Sequence, residues 1–205
     1  MDGWIKVIGG DGMSTAINPA ENIIYGSYQN FGLNKSTDKG KTFEYIRPNN
    51  NILYTEQIAF NTPYEITPAN PTALYAGGQR IYINENNGNP NGWRPLHEFV
   101  LDANATTLAL AISPKDPTLI FASTSPLNNK TVPKLFKSTN GGITWQHLSN
   151  LPELAAMDII FDPNNANTIY LAYSGFKPVA HVFKSTDAGN TWENIDHGLP
   201  NVPTN

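Results

Sequence analysis

Apolar and polar residues alternate along this chain in short bursts separated by turns. Ala16-Ile17-Asn18-Pro19 leads through a polar turn into Asn22-Ile23-Ile24-Tyr25-Gly26. The order returns as Glu65-Ile66-Thr67-Pro68 with Ala73-Leu74-Tyr75-Ala76-Gly77, and as Ala111-Ile112-Ser113-Pro114 with Leu119-Ile120-Phe121-Ala122. It appears last as Ile160-Phe161-Asp162-Pro163 with Thr168-Ile169-Tyr170-Leu171-Ala172. Short apolar runs bounded by Asn, Gly and Pro predict strands. A proline just past a strand end removes no ladder hydrogen bond. The four prolines are 49, 46 and 49 residues apart. Nowhere does a helical period persist; Leu151-Pro152-Glu153-Leu154-Ala155-Ala156 offers one turn at best.

A second repeat runs in step with the first. Lys35-Ser36-Thr37-Asp38-Lys39-Gly40-Lys41-Thr42-Phe43 is matched by Lys137-Ser138-Thr139-Asn140-Gly141-Gly142-Ile143-Thr144-Trp145 and by Lys184-Ser185-Thr186-Asp187-Ala188-Gly189-Asn190-Thr191-Trp192. Alternating segments flank each copy, so each predicts a hairpin. Ser and Asp side chains accept from backbone N–H groups just downstream and build the turn. Gly supplies a positive φ, and the aromatic on the returning strand packs inward. Asn84-Glu85-Asn86-Asn87-Gly88 with Gly92-Trp93 is a degenerate copy: Asn84 stands for Ser, Asn86 for Asp, and a short insertion delays Trp93. The chain thus divides into units of about 13–47, 56–97, 105–149 and 156–196. Four short strands in about 47 residues is propeller spacing.

Ser-x-Asp-x-Gly-x-Thr-Trp resembles the Asp-box, the bacterial neuraminidase repeat of sialidase-like and glycosyl-hydrolase-like secreted proteins. The resemblance implies an all-β fold, a β-propeller of four-stranded blades with Asp-box hairpins. About four blades are present, as part of a ring of seven or eight. It also implies that the box residues are architectural and lie away from the ligand face: Ser36, Asp38, Gly40 and Phe43; Ser138, Asn140, Gly142 and Trp145; Ser185, Asp187, Gly189 and Trp192. Residues 2–8 match the outer strand of a preceding blade, and 198–203 lead toward another. Half a ring leaves apolar blade faces open. The expected partner is therefore the missing half or a second copy.

Composition narrows the function classes. The 205 residues suffice for one domain. A net charge of -4, with 13 Lys and Arg and no basic run, excludes a nucleic-acid partner. Without cysteine, neither a disulfide framework nor a thiolate metal site exists. His97, His147, His181 and His197 lack ligand spacing, so no metal is expected. No phosphate loop or Gly-x-Ser-x-Gly is present, and no cofactor is expected. No apolar run is long enough to span a membrane. Met1-Asp2-Gly3-Trp4 does not begin a signal peptide; an extracellular or cell-surface location follows from the resemblance alone.

In such propellers ligands are expected on the face formed by the second-to-third-strand loops and the connections between blades. Tyr28, Gln29, Gln79, Arg80 and Tyr173 are the candidate ligand-binding residues, with aromatics and amides suited to a polysaccharide or glycan. Asp11, in Gly9-Gly10-Asp11-Gly12, and Asp158, on an inner strand, are the candidate catalytic acids. Two-carboxylate chemistry needs a pair about 5–10 Å apart, and Asp102, Glu56 and Glu153 are further partners. A sialidase ranks lowest: that family needs three arginines on the ligand face, whereas of Arg47, Arg80 and Arg94 the last follows a box Trp in a fourth strand, and Tyr45-Ile46-Arg47-Pro48 is not Tyr-Arg-Ile-Pro. Xyloglucan-cleaving endoglucanases, also built from box-bearing propellers, set two acids across a cleft between two propellers. The reading therefore ranks a non-catalytic recognition or scaffold propeller first, with glycans as its ligand class. Part of a glycoside hydrolase ranks second. A protein-binding assembly factor, similar to the box-bearing photosystem II stability proteins, ranks third.

Overall fold

The computed structural model describes residues 5–46, 56–128, 131–176 and 180–199. Residues 2–4 of the expected preceding strand, residue 47 at the end of the first unit, and 200–203 lie outside them. Among the described residues, sixteen strands form four antiparallel sheets, each a four-stranded meander. Blade one holds β1 (Gly12–Asn18), β2 (Ile23–Tyr28), β3 (Gly32–Ser36) and β4 (Glu44–Tyr45). Blade two holds β5 (Tyr64–Thr67), β6 (Asn70–Gly77), β7 (Ile81–Asn84) and β8 (Trp93–Pro95). Blade three holds β9 (Ala105–Ile112), β10 (Ile120–Pro126), β11 (Leu135–Ser138) and β12 (Gln146–His147). Blade four holds β13 (Ala156–Phe161), β14 (Ile169–Tyr173), β15 (Val182–Ser185) and β16 (Glu193–Asn194). The described residues contain no helix, and the fold is a four-bladed β-propeller.

Each β3-type strand ends in a stapled turn. In blade one the Gly40 N–H donates to Ser36 Oγ (2.9 Å), and Ser36 Oγ donates to Asp38 Oδ1 (2.8 Å). Asp38 Oδ1 accepts from the Lys41 and Thr42 N–H groups, and Oδ2 from the Thr42 hydroxyl at 2.6 Å. Blade four repeats the set through Ser185, Asp187, Gly189 and Thr191. Blade three keeps it with Asn140, whose Nδ2 donates to Thr144 Oγ1. In blade two, Asn84 Oδ1 accepts from the Asn86 and Gly88 N–H groups, and its amide donates to Asn89 O across the insertion. Thr42 first, and then Ser36, hold the Asp38 carboxyl down from 3.8 to about 2; Thr191 and Ser185 do the same for Asp187.

The blades meet along three seams, each with its own buried apolar cluster. Tyr25, Tyr75 and Phe121 hold the same place in β2, β6 and β10, face the next blade, and are buried. The next blade answers with the aromatic after its stapled turn. Trp93 packs against Phe31 (5.5 Å, edge to face) and Trp192 against Phe121 (6.2 Å), while Trp145 joins the cluster of the second seam. The turn glycine makes this approach possible: a Cβ on Gly88 would collide with Ile46, on Gly142 with Leu96, and on Gly189 with Phe121. The Lys of Lys-Ser-Thr reaches across too. Lys35 Nζ donates to Asn87 O (3.3 Å), and Lys137 Nζ to Asn190 Oδ1 (2.8 Å). Among the described residues, no buried cluster joins blade four back to blade one.

Replacing Ser185 by Ala leaves the buried Gly189 N–H without its acceptor; a loss of about 1–3 kcal/mol in denaturant unfolding is expected. Because Asp38 and Asp187 are depressed, the stability they contribute is complete above their ordinary value and is lost as pH falls toward 2. The Asp38→Asn/Asp187→Asn variant, with Asn140 as its structural precedent, should show a shallower fall in melting temperature between pH 4 and 2. An unchanged acid slope refutes this assignment.

Candidate functional site

The first strands of the four blades line the concave side. One cavity of about 280 Å³ is bounded by Ser14, Thr15 and Ala16 of β1, Asn61 and Pro63 through Glu65, Leu108 through Leu110, and Met157 and Asp158. A second, of about 250 Å³, is bounded by Glu65, Ala111, Ile112, Pro114, Asp158 through Phe161 and Pro163. The first takes the earlier residues of these strands, toward the inter-blade connections. The second takes the later ones, toward the proline turns. Glu65 and Asp158 belong to both, so the two carboxylates stand where the cavities meet.

Local sequence places each of them. Glu65 occupies the position held by Ala16, Ala111 and Ile160 in the other blades. At those sites the residue faces the next blade: Ala111 is buried in the third seam, and Ala16 packs on the first. Glu65 turns into the concavity instead. The residue is exposed, yet protein crowds its carboxyl. That burial, with the Asp158 charge second, raises its carboxyl from 4.5 to about 7. The pairing of β13 shifts between Ala156 and Asp158, a bulge of the kind that re-aims a side chain. Asp158 Oδ1 accepts from the Ile159 N–H at 2.9 Å. Such a pair can accept hydrogen bonds from hydroxyls, and Glu65 near neutrality can also donate one.

The other candidates lie elsewhere. Asp11 is exposed, its N–H donating to Gln29 Oε1 (2.9 Å), and it does not border the cavities. Tyr28 stacks on Tyr45 (6.3 Å) on the outward face of blade one. Gln79 and Arg80 tie the β6–β7 turn to the connections on either side: Arg80 pairs with Glu56 and its Nε donates to Glu98 O, while Gln79 Nε2 donates to Ala103 O. Asp102 pairs with Lys134 at 2.6 Å. Tyr173 is 1% exposed, edge to face with Phe183 in the third seam, and burial raises its hydroxyl pKa. Asp38 and Asp187 stay in their turns. Of the acids singled out from sequence, Asp158 alone borders the cavities, and the sequence reading missed Glu65. The available signal was a charge where three sister strands carry Ala, Ala and Ile. Among the described residues, no three His, Asp or Glu side chains converge to hold a metal ion.

No family model matches the chain, and no curated protein does either. Solved structures match its fold. An ancestral GH74 enzyme superposes with a TM-score of 0.66 at 23% identity, covering 91% of this chain and 24% of that one. The GH74 xyloglucanase of Xanthomonas campestris gives 0.58 at 15%, covering 92% and 29%. YCF48 of Cyanidioschyzon merolae gives 0.57 at 10%, covering 95% and 63%. The chain thus spans about a quarter to a third of the length of those GH74 enzymes. At these identities the likeness is one of fold.

A carboxyl raised in the folded state contributes stability that is complete below its ordinary value and is lost as pH climbs through about 7. Glu65→Gln removes that loss. It should melt higher than the parent at pH 8 and no higher at pH 4, below the ordinary value of 4.5, as read by circular dichroism. Equal melting temperatures at both pH values contradict the placement of Glu65.

Proposed function

We propose that this chain is a recognition segment of a β-propeller in a secreted or cell-surface protein, and that its ligand is a neutral glycan held on the concave side. The observation that carries the reading is the meeting of Glu65 and Asp158 in a polar concavity of about 280 Å³ bordered by Ser14, Thr15 and Asn61. Carboxylates and hydroxyls set among apolar strands bind polyhydroxylated rings by directional hydrogen bonds, and a few such groups in a concave site are enough for specificity. Soluble xyloglucan and a panel of other neutral polysaccharides, run in affinity gels, provide the test. Retardation by at least one, weakened about tenfold by Asp158→Ala, is expected; each tenfold step corresponds to about 1.4 kcal/mol. No retardation by any member of the panel sinks the reading.

A second reading rests on the same pair. The Glu65 carboxyl is raised to about 7 beside a second carboxylate, and environments that part the pKa values of two acids mark acid/base pairs in glycoside hydrolysis. The chain would then be part of a glycoside hydrolase, a reading to which the GH74 fold likeness lends weight. Reducing-end release from xyloglucan that disappears in Glu65→Gln favours this reading. Binding without release favours recognition.

A further inference from the structure

The seams inside the molecule define what the two end faces lack. At each internal seam the earlier blade offers an aromatic on its second strand, and the later blade offers a turn glycine that leaves room for an apolar side chain. Blade four offers the first half of this arrangement, and among the described residues no other blade packs on it. Tyr170 holds the place of Tyr25, Tyr75 and Phe121 but is only half-buried, and the neighbouring Ile160 is 53% exposed. Lys184, the counterpart of Lys35 and Lys137, lies over the Tyr170 ring at 5.8 Å. Blade one offers the second half. Ile17 is 62% exposed on its outward face. Gly40 has φ +81°, and a Cβ there would meet Ile24 of its own blade, where Gly88, Gly142 and Gly189 meet the blade before.

We propose that blade four of one chain docks on blade one of a second copy, head to tail, by making this same seam a fourth time. Tyr170 then packs toward the Gly40 turn, and Ile195 takes the place that Ile46 holds over Gly88. Lys184 donates to the backbone of the Lys39 turn, close to the Asp38 carboxylate, as Lys137 lies within the field of Asp187. The Lys39 and Lys41 side chains are exposed and stay in solvent. Ile8 already lies on Gly26 elsewhere on that face, which leaves the Gly40 side for the incoming blade. The interface is heterologous, each copy using two different surfaces, and two copies close it if the curvature of eight blades completes a turn.

Light scattering on the full 205-residue chain provides the test. The expected mass is twice the 22.5 kDa chain mass or a higher multiple, and a monomer at about 100 μM overturns the proposal. Of the two end faces, Ile17→Asp spoils that of blade one and Ile160→Asp that of blade four; Ile160 also borders the second cavity, which the mass readout does not sense, and both positions are exposed, so circular dichroism should confirm a native fold. Each variant alone should be monomeric. An equimolar mixture should regain a dimer, because one intact face of each kind remains. If either variant still self-associates, like faces are pairing and the head-to-tail seam is wrong.

Discussion

A blade of this repeat cannot cover both of its faces by itself. Four short strands make a sheet too small for a private core, so the apolar residues of each face must find the next sheet. The stapled turn answers that need. Its serine and aspartate fix the backbone so that a glycine with positive φ comes up against the blade before, as Gly189 does against Phe121. The aromatic that follows then falls into the same seam. The turn residues are invested in the approach of one sheet to another. Chemistry is left to positions that the repeat does not use.

The concave side is where such positions occur. At the position of Glu65, Ala111 keeps the repeat and is buried between blades, and Ala16 packs on the first seam. Glu65 departs from the repeat, and Asp158 is carried inward beside a bulge. Burial first, and the Asp158 charge second, raise the Glu65 carboxyl to about 7. Two carboxylates at the junction of two cavities gain no stability from one another, so packing gives no reason for the arrangement.

The fold was legible because its determinants are local and repeated. Pro19, Pro68, Pro114 and Pro163 each follow a first strand, and every hairpin signature became a third strand, a turn and a fourth strand. Asn84 was readable as a stand-in for serine because both accept from the N–H four residues on. The site was far less legible. Glu65-Ile66-Thr67 looks like any half-buried strand, and the direction of the glutamate depends on how sheets distant in sequence curve around it. Tyr173 looks like a loop aromatic, yet β14 runs long enough to carry it into the third seam. Gln79 and Arg80 look free to meet a ligand, but the connections on both sides satisfy them. A residue's type is written in the chain, whereas its occupancy by neighbours is a property of the assembled sheets.

The degenerate hairpin of blade two makes the three internal joints unequal. Where its sisters carry Lys35 and Lys137, it carries Ile83, buried among apolar side chains. Among the described residues the joint between blades two and three therefore lacks this lysine bridge; the Thr67 hydroxyl donates across it to Ser113 O at 2.6 Å, and the rest of the joint relies on the exclusion of water. That force weakens on cooling. Cooling therefore takes more from this joint than from the two that a lysine also bridges.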